Sequence, residues 1–457
     1  MGESTSYQVL DEAARRAGVY LRDLKSRSVA ASADAIAALR ELDEALPELS
    51  SDPAGTLARL DRIVSPATMG MAGPRFFGFV VGGSLPIALA ANWLAGSWDQ
   101  NAVLYEVAPG VARIEEVTSR WLIELLGLPS STAVGFVTGA TMANFTALAA
   151  ARHAVLAKAG WNVEADGLFG APPITVIIGE EAHPTLLKSL GMLGLGRSRV
   201  QRVAVDGQGR MRADALPEIG GPTILCVQAG NLNSGAFDPF EPLIDRAHAA
   251  RAWVHVDGAF GLWAKASPSR SHLARGLERA DSWATDAHKW LNVPYDSGLA
   301  FSRDAQALSA AMAVTAEYLP SETAHRNPSD FTPELSRRAR GVEVWAAMRS
   351  LGKAGLAELF ERNCRQAARF ADGLRAAGHA ILNEVVLNQV VVSFGDADRT
   401  RRVVAALQEE GTCWCGATVW HGRTAMRISV SSWATTDADV QLSLAAMLRV
   451  AARVCGS

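Results

Sequence analysis

The chain has 457 residues, of which 49% are hydrophobic and 20% are charged. This length is too great for one ordinary hydrophobic core, so we expect two or more lobes. The formal net charge is −3, without a basic stripe, which argues against nucleic acid and against an anionic membrane surface as partners.

The N-terminal sequence and the cysteine pattern predict a cytoplasmic protein. The first residues lack a basic region followed by an apolar core, so we expect no secretory signal. The apolar run 76–95 contains glycines, a proline and an asparagine, which favours a buried element over a membrane span. The odd, scattered cysteine set is typical of reduced cytoplasmic thiols, and its spacing predicts no metal site. These cysteines are Cys226, Cys364, Cys413, Cys415 and Cys455.

The first 75 residues predict a helical arm. Helical periodicity covers residues 7–27 and 32–65, and Asp52-Pro53 marks a helix start within the second stretch. We therefore assign residues 1–75 to an N-terminal helical arm that precedes the main fold.

Residues 76–320 predict a large α/β domain, because apolar strands alternate with helices from about residue 110. Such alternation indicates a mostly parallel sheet covered by helices on both faces. Ligands of such sheets bind at the carboxyl ends of the strands, where Thr138, Asp257 and the segment before Lys289 all fall. The predicted strands are 134–138, 174–178, 200–205, 224–228, 253–257, 282–285 and 299–301, and the predicted helices between them are 115–126, 141–159, 183–193 and 242–251.

Residues 321–457 predict a smaller α+β domain. A long helical stretch precedes short strands and two further helices, a pattern that differs from the preceding alternation. The predicted helices are 341–377, 400–410 and one from about 437, and the predicted strands are 390–394, 418–420 and 426–430.

Lys289 stands between two aromatic rings in His288-Lys289-Trp290, just after a predicted strand. Burial beside aromatic rings favours the neutral form of a lysine, and a neutral amine attacks an aldehyde to form a Schiff base. Proteins hold pyridoxal 5′-phosphate in this way. Taken alone, the same tripeptide also fits a surface lysine whose stem passes two rings.

Thr138-Gly-Ala-Thr-Met-Ala-Asn144 ends a strand and opens a helix. Gly139 permits a close approach of the backbone, the first helical amides are unpaired, and Thr141 adds a hydroxyl. The segment fits a phosphate monoester, although a simple capped helix after a tight turn has the same pattern.

Asp257 and His183 follow two other predicted strands. A carboxylate at the position of Asp257 pairs well with a protonated pyridine nitrogen, and the following Ala259 leaves room for a flat ring. His183 is placed to lie on the opposite face of that ring. Each residue also has a structural interpretation, as a turn cap for Asp257 and as a packed histidine for His183.

These segments together resemble the group II pyridoxal-phosphate-dependent amino acid decarboxylases, within the aspartate-aminotransferase-like fold (fold type I). The likeness covers roughly residues 70–435. Its most specific parts are Asp257-Gly-Ala-Phe-Gly261, Asp286-Ala-His-Lys-Trp-Leu291 and Thr138-Gly-Ala-Thr-Met-Ala-Asn144, with Gly235-Ala-Phe-Asp238 and Ser336-Arg-Arg-Ala-Arg340 in support.

The resemblance implies a seven-stranded, mostly parallel sheet, pyridoxal 5′-phosphate as cofactor, and a homodimer with the site at the subunit boundary. It implies a Schiff base on Lys289, a pyridine partner in Asp257, a stacking ring in His183, and a ring-hydroxyl contact from Asn231 or Asn233. It places Asp286 where relatives often have asparagine. The residues assigned to the cofactor are Gly139, Ala140, Thr141, His183, Asn231, Asp257, Ala259, Asp286, His288 and Lys289.

The predicted reaction is decarboxylation of an L-amino acid, and three alternatives use the same fold: transamination, carbon–carbon cleavage and aldehyde-forming oxidative decarboxylation. Relatives carry a loop tyrosine that returns a proton, whereas this chain has Phe331 near that place. Tyr318, His288 or water are the other candidate donors. Arg427 falls where aminotransferases grip the substrate carboxylate, and it also fits an ordinary strand arginine.

Candidate aromatic residues for the substrate wall are the run 76–79, Trp98 and Trp414. Aromatic side chains at such positions also build cores, and the core interpretation is favoured here. The substrate class therefore stays open among aromatic, acidic and small amino acids.

Overall fold

The structure, a computed structural model, describes residues 7–314 and 325–455. The chain divides into two units. The first comprises Met1–Gly83, Ala368–Leu382 and Val390–Ser457, and the second comprises Ser84–Ala367 and Asn383–Gln389. The sequence-based division into 1–75, 76–320 and 321–457 stays a prediction.

Helices and strands lie close to their predicted positions. The helices are α1 (Gln8–Asp23), α2 (Ala33–Ala38), α3 (Pro53–Val64), α4 (Pro86–Trp98), α5 (Pro109–Leu126), α6 (Ala140–Ala157), α7 (Val163–Asp166), α8 (Pro184–Met192), α9 (Phe240–Ala249), α10 (Ala305–Met312), α11 (Gly341–Ala376), α12 (Ala397–Glu410) and α13 (Asp437–Cys455). The strands are β1 (Ala133–Val137), β2 (Thr175–Gly179), β3 (Gln201–Val203), β4 (Thr223–Gln228), β5 (Trp253–Asp257), β6 (Ser282–Asp286), β7 (Gly298–Ser302), β8 (Ala380–Ile381), β9 (Gln389–Ser393), β10 (Gly416–Trp420) and β11 (Arg423–Ser429).

The second unit is built on a seven-stranded sheet with the order β1-β7-β6-β5-β4-β2-β3. Strands β3, β2, β4, β5 and β6 are parallel neighbours, whereas β7 is antiparallel to both β6 and β1. Strands β5, β6 and β7 are buried along their whole length, as a sheet covered on both faces requires. The predicted mostly parallel α/β sheet is confirmed.

Strand β7 brings the ends of β1 and β6 together. Gly298, its first residue, pairs with Val137 on one side and with Asp286 on the other. A Cβ added at Gly298 would lie 2.4 Å from Gly139 Cα, so only glycine allows the two backbones to come this close. The start of α6 therefore lies beside the segment that follows β6.

A buried ion cluster fixes β1 from its other side. Arg337 donates two hydrogen bonds to the fully buried Glu115 (2.7 and 2.8 Å) and one to the Phe136 carbonyl (3.3 Å). Arg326 also pairs with Glu115, at 3.0 Å. The arginine-rich motif 336–340 thus has a structural role, because Arg337 links α5 to β1.

The first unit contains α1–α3, the end of α11, α12, α13 and a four-stranded sheet with the order β10-β11-β9-β8. The predicted helical stretch 32–65 is interrupted, because α2 ends at Ala38 and α3 begins at Pro53 with Asp52 as its N-cap. Among the substrate-wall candidates, Phe76 and Phe77 are core residues, and Trp414 stacks on Phe76 at 4.9 Å. Of the remaining candidates, Phe79 and Trp98 are exposed.

The described ranges contain no candidate membrane span and no candidate metal site. No helix there is both long and apolar enough to cross a membrane. No group of three or more His, Cys, Asp or Glu side chains in those ranges is placed to hold a metal ion. Cys226, Cys364, Cys413 and Cys415 are buried free thiols.

We predict that Gly298→Ala destabilises the protein by about 1–3 kcal/mol, because the new methyl overlaps the backbone of Gly139. Denaturant unfolding measures the change. The control is Gly110→Ala in the first turn of α5, where an added Cβ meets no atom within 4 Å and alanine favours the helix. Equal stability of the two variants would contradict the prediction.

Candidate active site

Asp257 ends β5 and is 4% exposed. Its Oδ1 accepts a hydrogen bond from the Ala259 N–H at 3.3 Å. Burial raises the pKa of Asp257, and the nearby charges of His183 and Lys289 act in the opposite direction. Asp257, His183 and Cys226 line one narrow cavity. The structure therefore brings a buried acid, an imidazole and an amine to one end of the sheet.

His183 is the N-cap of α8, and this position orients its ring. The Thr185 N–H donates to His183 Nδ1 at 3.3 Å, and Thr185 Oγ1 lies 2.6 Å from the same nitrogen. Pro184 at the first helical position makes the start of α8 rigid. The Nδ1 edge of the ring is thus held against the first turn of α8.

The Lys289 segment is anchored through its backbone and its tryptophan. The Asp286 N–H donates to the Ala259 carbonyl at 2.9 Å, and Trp263 Nε1 donates to the Asp286 carbonyl at 3.0 Å. Trp290 is fully buried and donates to Asn363 Oδ1 at 3.0 Å. The tryptophan that follows Lys289 is therefore a core anchor, and the lysine side chain is 20% exposed.

Lys289 and His288 both face the carboxylate of Asp286. Lys289 Nζ lies 2.8 Å from Asp286 Oδ2, and His288 Nε2 lies 3.3 Å from Oδ1. The Ser297 N–H donates to His288 Nδ1 at 3.1 Å, and Tyr295 stacks on the imidazole at 4.3 Å. Burial lowers the pKa of His288, so the ring is neutral at pH 7 with its proton on Nε2.

The N-terminus of α6 lies against the same carboxylate. The Ala140 N–H donates to Asp286 Oδ1 at 2.5 Å. Gly139 has extended backbone angles that any residue adopts, but a Cβ there would lie 3.0 Å from His288 Cε1 and 3.3 Å from Asp286 Oδ1. Close approach, rather than backbone conformation, therefore favours glycine at position 139. Thr141 is half-buried one residue further along.

A buried network ties α6 to β5 and β6. His255 Nε2 lies 2.8 Å from Asn144 Oδ1, and His255 Nδ1 lies 2.9 Å from Ser282 Oγ, which also accepts from Trp253 Nε1. Burial lowers the pKa of His255 to about 3, so it acts as a neutral link between Asn144 and Ser282. The helix that starts at the site is thereby fixed to the strands that carry Asp257 and Asp286.

The side chain of Asn231 bonds to its own loop and to Glu181. Its Oδ1 accepts from the backbone N–H groups of Asn233 and Ser234, and its Nδ2 donates to Glu181 Oε2 at 2.9 Å. A contact from Asn231 or Asn233 to a ring hydroxyl stays a prediction. Asp238, from the supporting motif, accepts from the Met211 and Gln228 amides and thereby fixes the adjoining loop.

Phe331 does not lie among the groups that surround Lys289. It packs on the core near Ala307 and Leu308, its ring contacts Arg326 at 4.4 Å, and its carbonyl abuts Gly135. Arg427 lies on β11 in the first unit, where burial lowers its pKa to about 10. Tyr318 lies outside the described residues.

The sequence reasoning missed the loop 295–298, which carries Tyr295, Ser297 and Gly298. The sequence does contain an indication of this loop, because the loop follows the Lys289 segment directly and its last residue is a glycine. Arg340 donates from Nε to Asp296 Oδ1 at 2.8 Å and so holds the loop from outside.

The donor set fits pyridoxal 5′-phosphate. The amine would take the aldehyde of that molecule, and the buried carboxylate would pair with its pyridine nitrogen. The oriented imidazole would lie on the ring face, and the first amides of the helix would bind the phosphate. The individual roles of these residues stay predictions.

Comparison with known proteins shows what the chain is similar to. The pyridoxal-dependent decarboxylase conserved domain matches residues 37–394. The chain is 31% identical over 354 residues to an aromatic-L-amino-acid decarboxylase of Bacillus atrophaeus, covering 75% of this chain and 72% of that protein. It is 29% identical over 406 residues to an L-2,4-diaminobutyrate decarboxylase of Rhizobium meliloti (strain 1021), covering 84% and 79%.

The fold is also that of solved structures. A crystal structure of Oryza sativa TDC with PLP and tryptamine has a TM-score of 0.90, with 23% sequence identity and 99% of both chains covered. This likeness confirms fold type I. With the domain match over most of its length, the chain belongs to the pyridoxal-dependent decarboxylase family, whose members remove the carboxylate of an amino acid with pyridoxal 5′-phosphate as cofactor.

Proposed function

We propose that this chain decarboxylates an L-amino acid with Lys289, Asp257 and His183 as its catalytic residues. The observation that supports this most directly is geometric: buried Asp257 ends β5 and lines one cavity with His183, and Lys289 follows β6, the neighbouring parallel strand, at the same end of the sheet. The cofactor, when bound, draws electrons from the α-carbon of an attached amino acid, which lets the carboxylate leave as CO₂.

Lys289 would hold the cofactor aldehyde through Nζ. Asp286 lies 2.8 Å from that nitrogen and stabilises its ammonium form whenever the lysine is released by an incoming substrate. The anchored backbone around Trp290 keeps Nζ at a fixed place, so release and recapture need only side-chain rotation.

Asp257 and His183 would orient the ring from its edge and its face. Removing Asp257 from water raises its pKa, and a cationic ring nitrogen beside it restores the carboxylate and gains a charge-assisted hydrogen bond. The imidazole of His183 is held by its hydrogen bonds to Thr185 and cannot rotate freely, so it would form one wall of the cofactor site.

Return of a proton to the α-carbon needs a donor near Lys289. Among the described residues, His288 has a proton on Nε2 and lies next to Asp286, which supports it as the donor. The packing of Phe331 in the core gives no support to the aldehyde-forming alternative. A grip of Arg427 on the substrate carboxylate would favour transamination or side-chain cleavage instead, and it stays a prediction.

We further propose a cytoplasmic homodimer with the site at the subunit boundary. Large apolar side chains are exposed on the first unit, among them Leu46 at 92% and Leu49 at 84%, and such exposure suits burial by a second copy. The buried free thiols suit a reducing compartment. A light-scattering mass of one 48.4 kDa chain, rather than two, would contradict the dimer.

We predict that the holoenzyme releases CO₂ from at least one L-amino acid of a panel and that Lys289→Ala abolishes this release. The panel includes aromatic, acidic and diamino substrates, since the named relatives differ in substrate. The expected loss in kcat is on the order of 10²-fold to 10⁴-fold or more. Lys188→Ala, an exposed lysine on α8, is the control that should keep full activity. Formation of keto acid from a second amino acid without CO₂ would overturn the proposal.

We predict that Asp257→Asn keeps the fold but lowers kcat on the order of 10²-fold or more, because the amide cannot hold a proton on the ring nitrogen. Steady-state kinetics and the visible absorption spectrum of the bound cofactor report the two effects. Asp245→Asn, on the exposed side of α9, serves as the control. Full turnover by Asp257→Asn would refute the assigned role.

A further inference from the structure

We propose that Asp286 is an internal anion at the position where the cofactor phosphate binds, so that phosphate binding is coupled to uptake of a proton. This inference rests on the proposed function, because it takes the N-terminus of α6 as the phosphate site. It adds a property that the site assignment alone does not contain.

The carboxylate of Asp286 already occupies the anion position of the helix. It is 2% exposed, and its Oδ1 accepts from the first amide of α6, at Ala140. Its second oxygen is paired with Lys289 Nζ. A helix N-terminus attracts one anionic group strongly because its unpaired amides and its dipole act over a single turn.

There is little room for the carboxylate to move away. Gly139 and Gly298 are in backbone contact, and a Cβ at Gly139 would already meet both His288 and Asp286. The main chain of Asp286 is fixed by its pairing with Gly298 and by Trp263. A phosphate that reaches the amides of Ala140 and Thr141 must therefore sit close to the carboxylate.

The charges that face Asp286 do not compensate a second anion. They are Lys289 and His288 on its own segment, Tyr295 on the adjoining loop and Asp257 on β5. The charge of Asp286 contributes to raising the pKa of both Asp257 and Tyr295, which shows that it acts across the pocket. His288 is neutral, because burial lowers its pKa, so Lys289 is the single cation of this set of described groups.

A phosphate dianion that enters this set shares the single ammonium of Lys289 with the carboxylate of Asp286. When the phosphate dianion binds beside the carboxylate, the complex takes up one proton from solvent. The carboxylate and the phosphate share this proton in the complex. Binding then weakens as pH rises above the second phosphate pKa of about 6, by up to about tenfold per pH unit.

Asp286→Asn is the variant that isolates this effect. Asparagine has nearly the same shape, and its amide oxygen can accept the Ala140 N–H as well as aspartate does, so the helix cap is kept while the charge is removed. Asp245→Asn is the control. Asp245 is an exposed carboxylate on α9 that pairs with Arg279, away from the site.

The test uses the full chain freed of cofactor, with pyridoxine 5′-phosphate as probe. This molecule has the ring and the phosphate but an alcohol instead of the aldehyde, so covalent chemistry at Lys289 does not contribute. Calorimetry in two buffers of different ionisation enthalpy, between about pH 6 and pH 8, counts the protons taken up. Pyridoxine, which lacks the phosphate, is titrated in parallel.

We expect the wild type to take up close to one proton with the phosphorylated probe and the Asp286→Asn variant to take up clearly less. At about pH 8 the variant should bind the probe about tenfold more tightly than the wild type, and Asp245→Asn should match the wild type. Binding of pyridoxine should be the same for all three proteins.

Three results would overturn the inference. Proton uptake near zero by the folded wild type contradicts it directly and does not require any variant. Equal tightening by Asp245→Asn would show a general charge effect instead of a local one. Failure of folded wild type to bind the probe at any pH would remove the cofactor site itself, and with it this inference.

Discussion

The backbone contact between Gly139 and Gly298 is the constraint on which the candidate site depends. It exists because β7 enters the sheet antiparallel between β1 and β6, so that one residue pairs with the last residue of both neighbours. A helix N-terminus and a lysine-bearing loop, separated by almost 150 residues, come together as a result. With any side chain at position 298 these two segments would be pushed apart.

The polar groups around this contact are of two kinds, a buried neutral network and a set of charged side chains. The neutral network of Asn144, His255 and Ser282 links α6 to two strands without a net charge. Charged groups lie nearer the place where a ligand would bind, at Asp257, Asp286 and Lys289. This separation is physically reasonable, because a buried neutral network is stable in the absence of a ligand, whereas a buried charge needs a partner.

Much of the fold could be predicted from the sequence, because buried parallel strands are short apolar runs between polar ends. The run that ends in Asp257 and the run before Lys289 were placed to within a residue, and the rim of the sheet followed from them. The antiparallel course of β7 was not foreseeable, since alternation of strands and helices does not reveal the direction of a strand. The roles of Asn231, Phe331 and Arg337 also depend on long-range contacts that no local pattern contains. The same is true of Asp286, whose motif indicated a phosphate neighbour but not a carboxylate already bound to the helix amide.

The central claim is that Lys289 carries the cofactor at the junction of β1, β6 and β7, and reductive trapping tests it most directly. Purified protein incubated with pyridoxal 5′-phosphate is reduced with borohydride, digested and analysed by peptide mass spectrometry. The account predicts one phosphopyridoxyl adduct, on the peptide that contains Lys289. An unmodified Lys289, or a principal adduct on any other lysine, would contradict it.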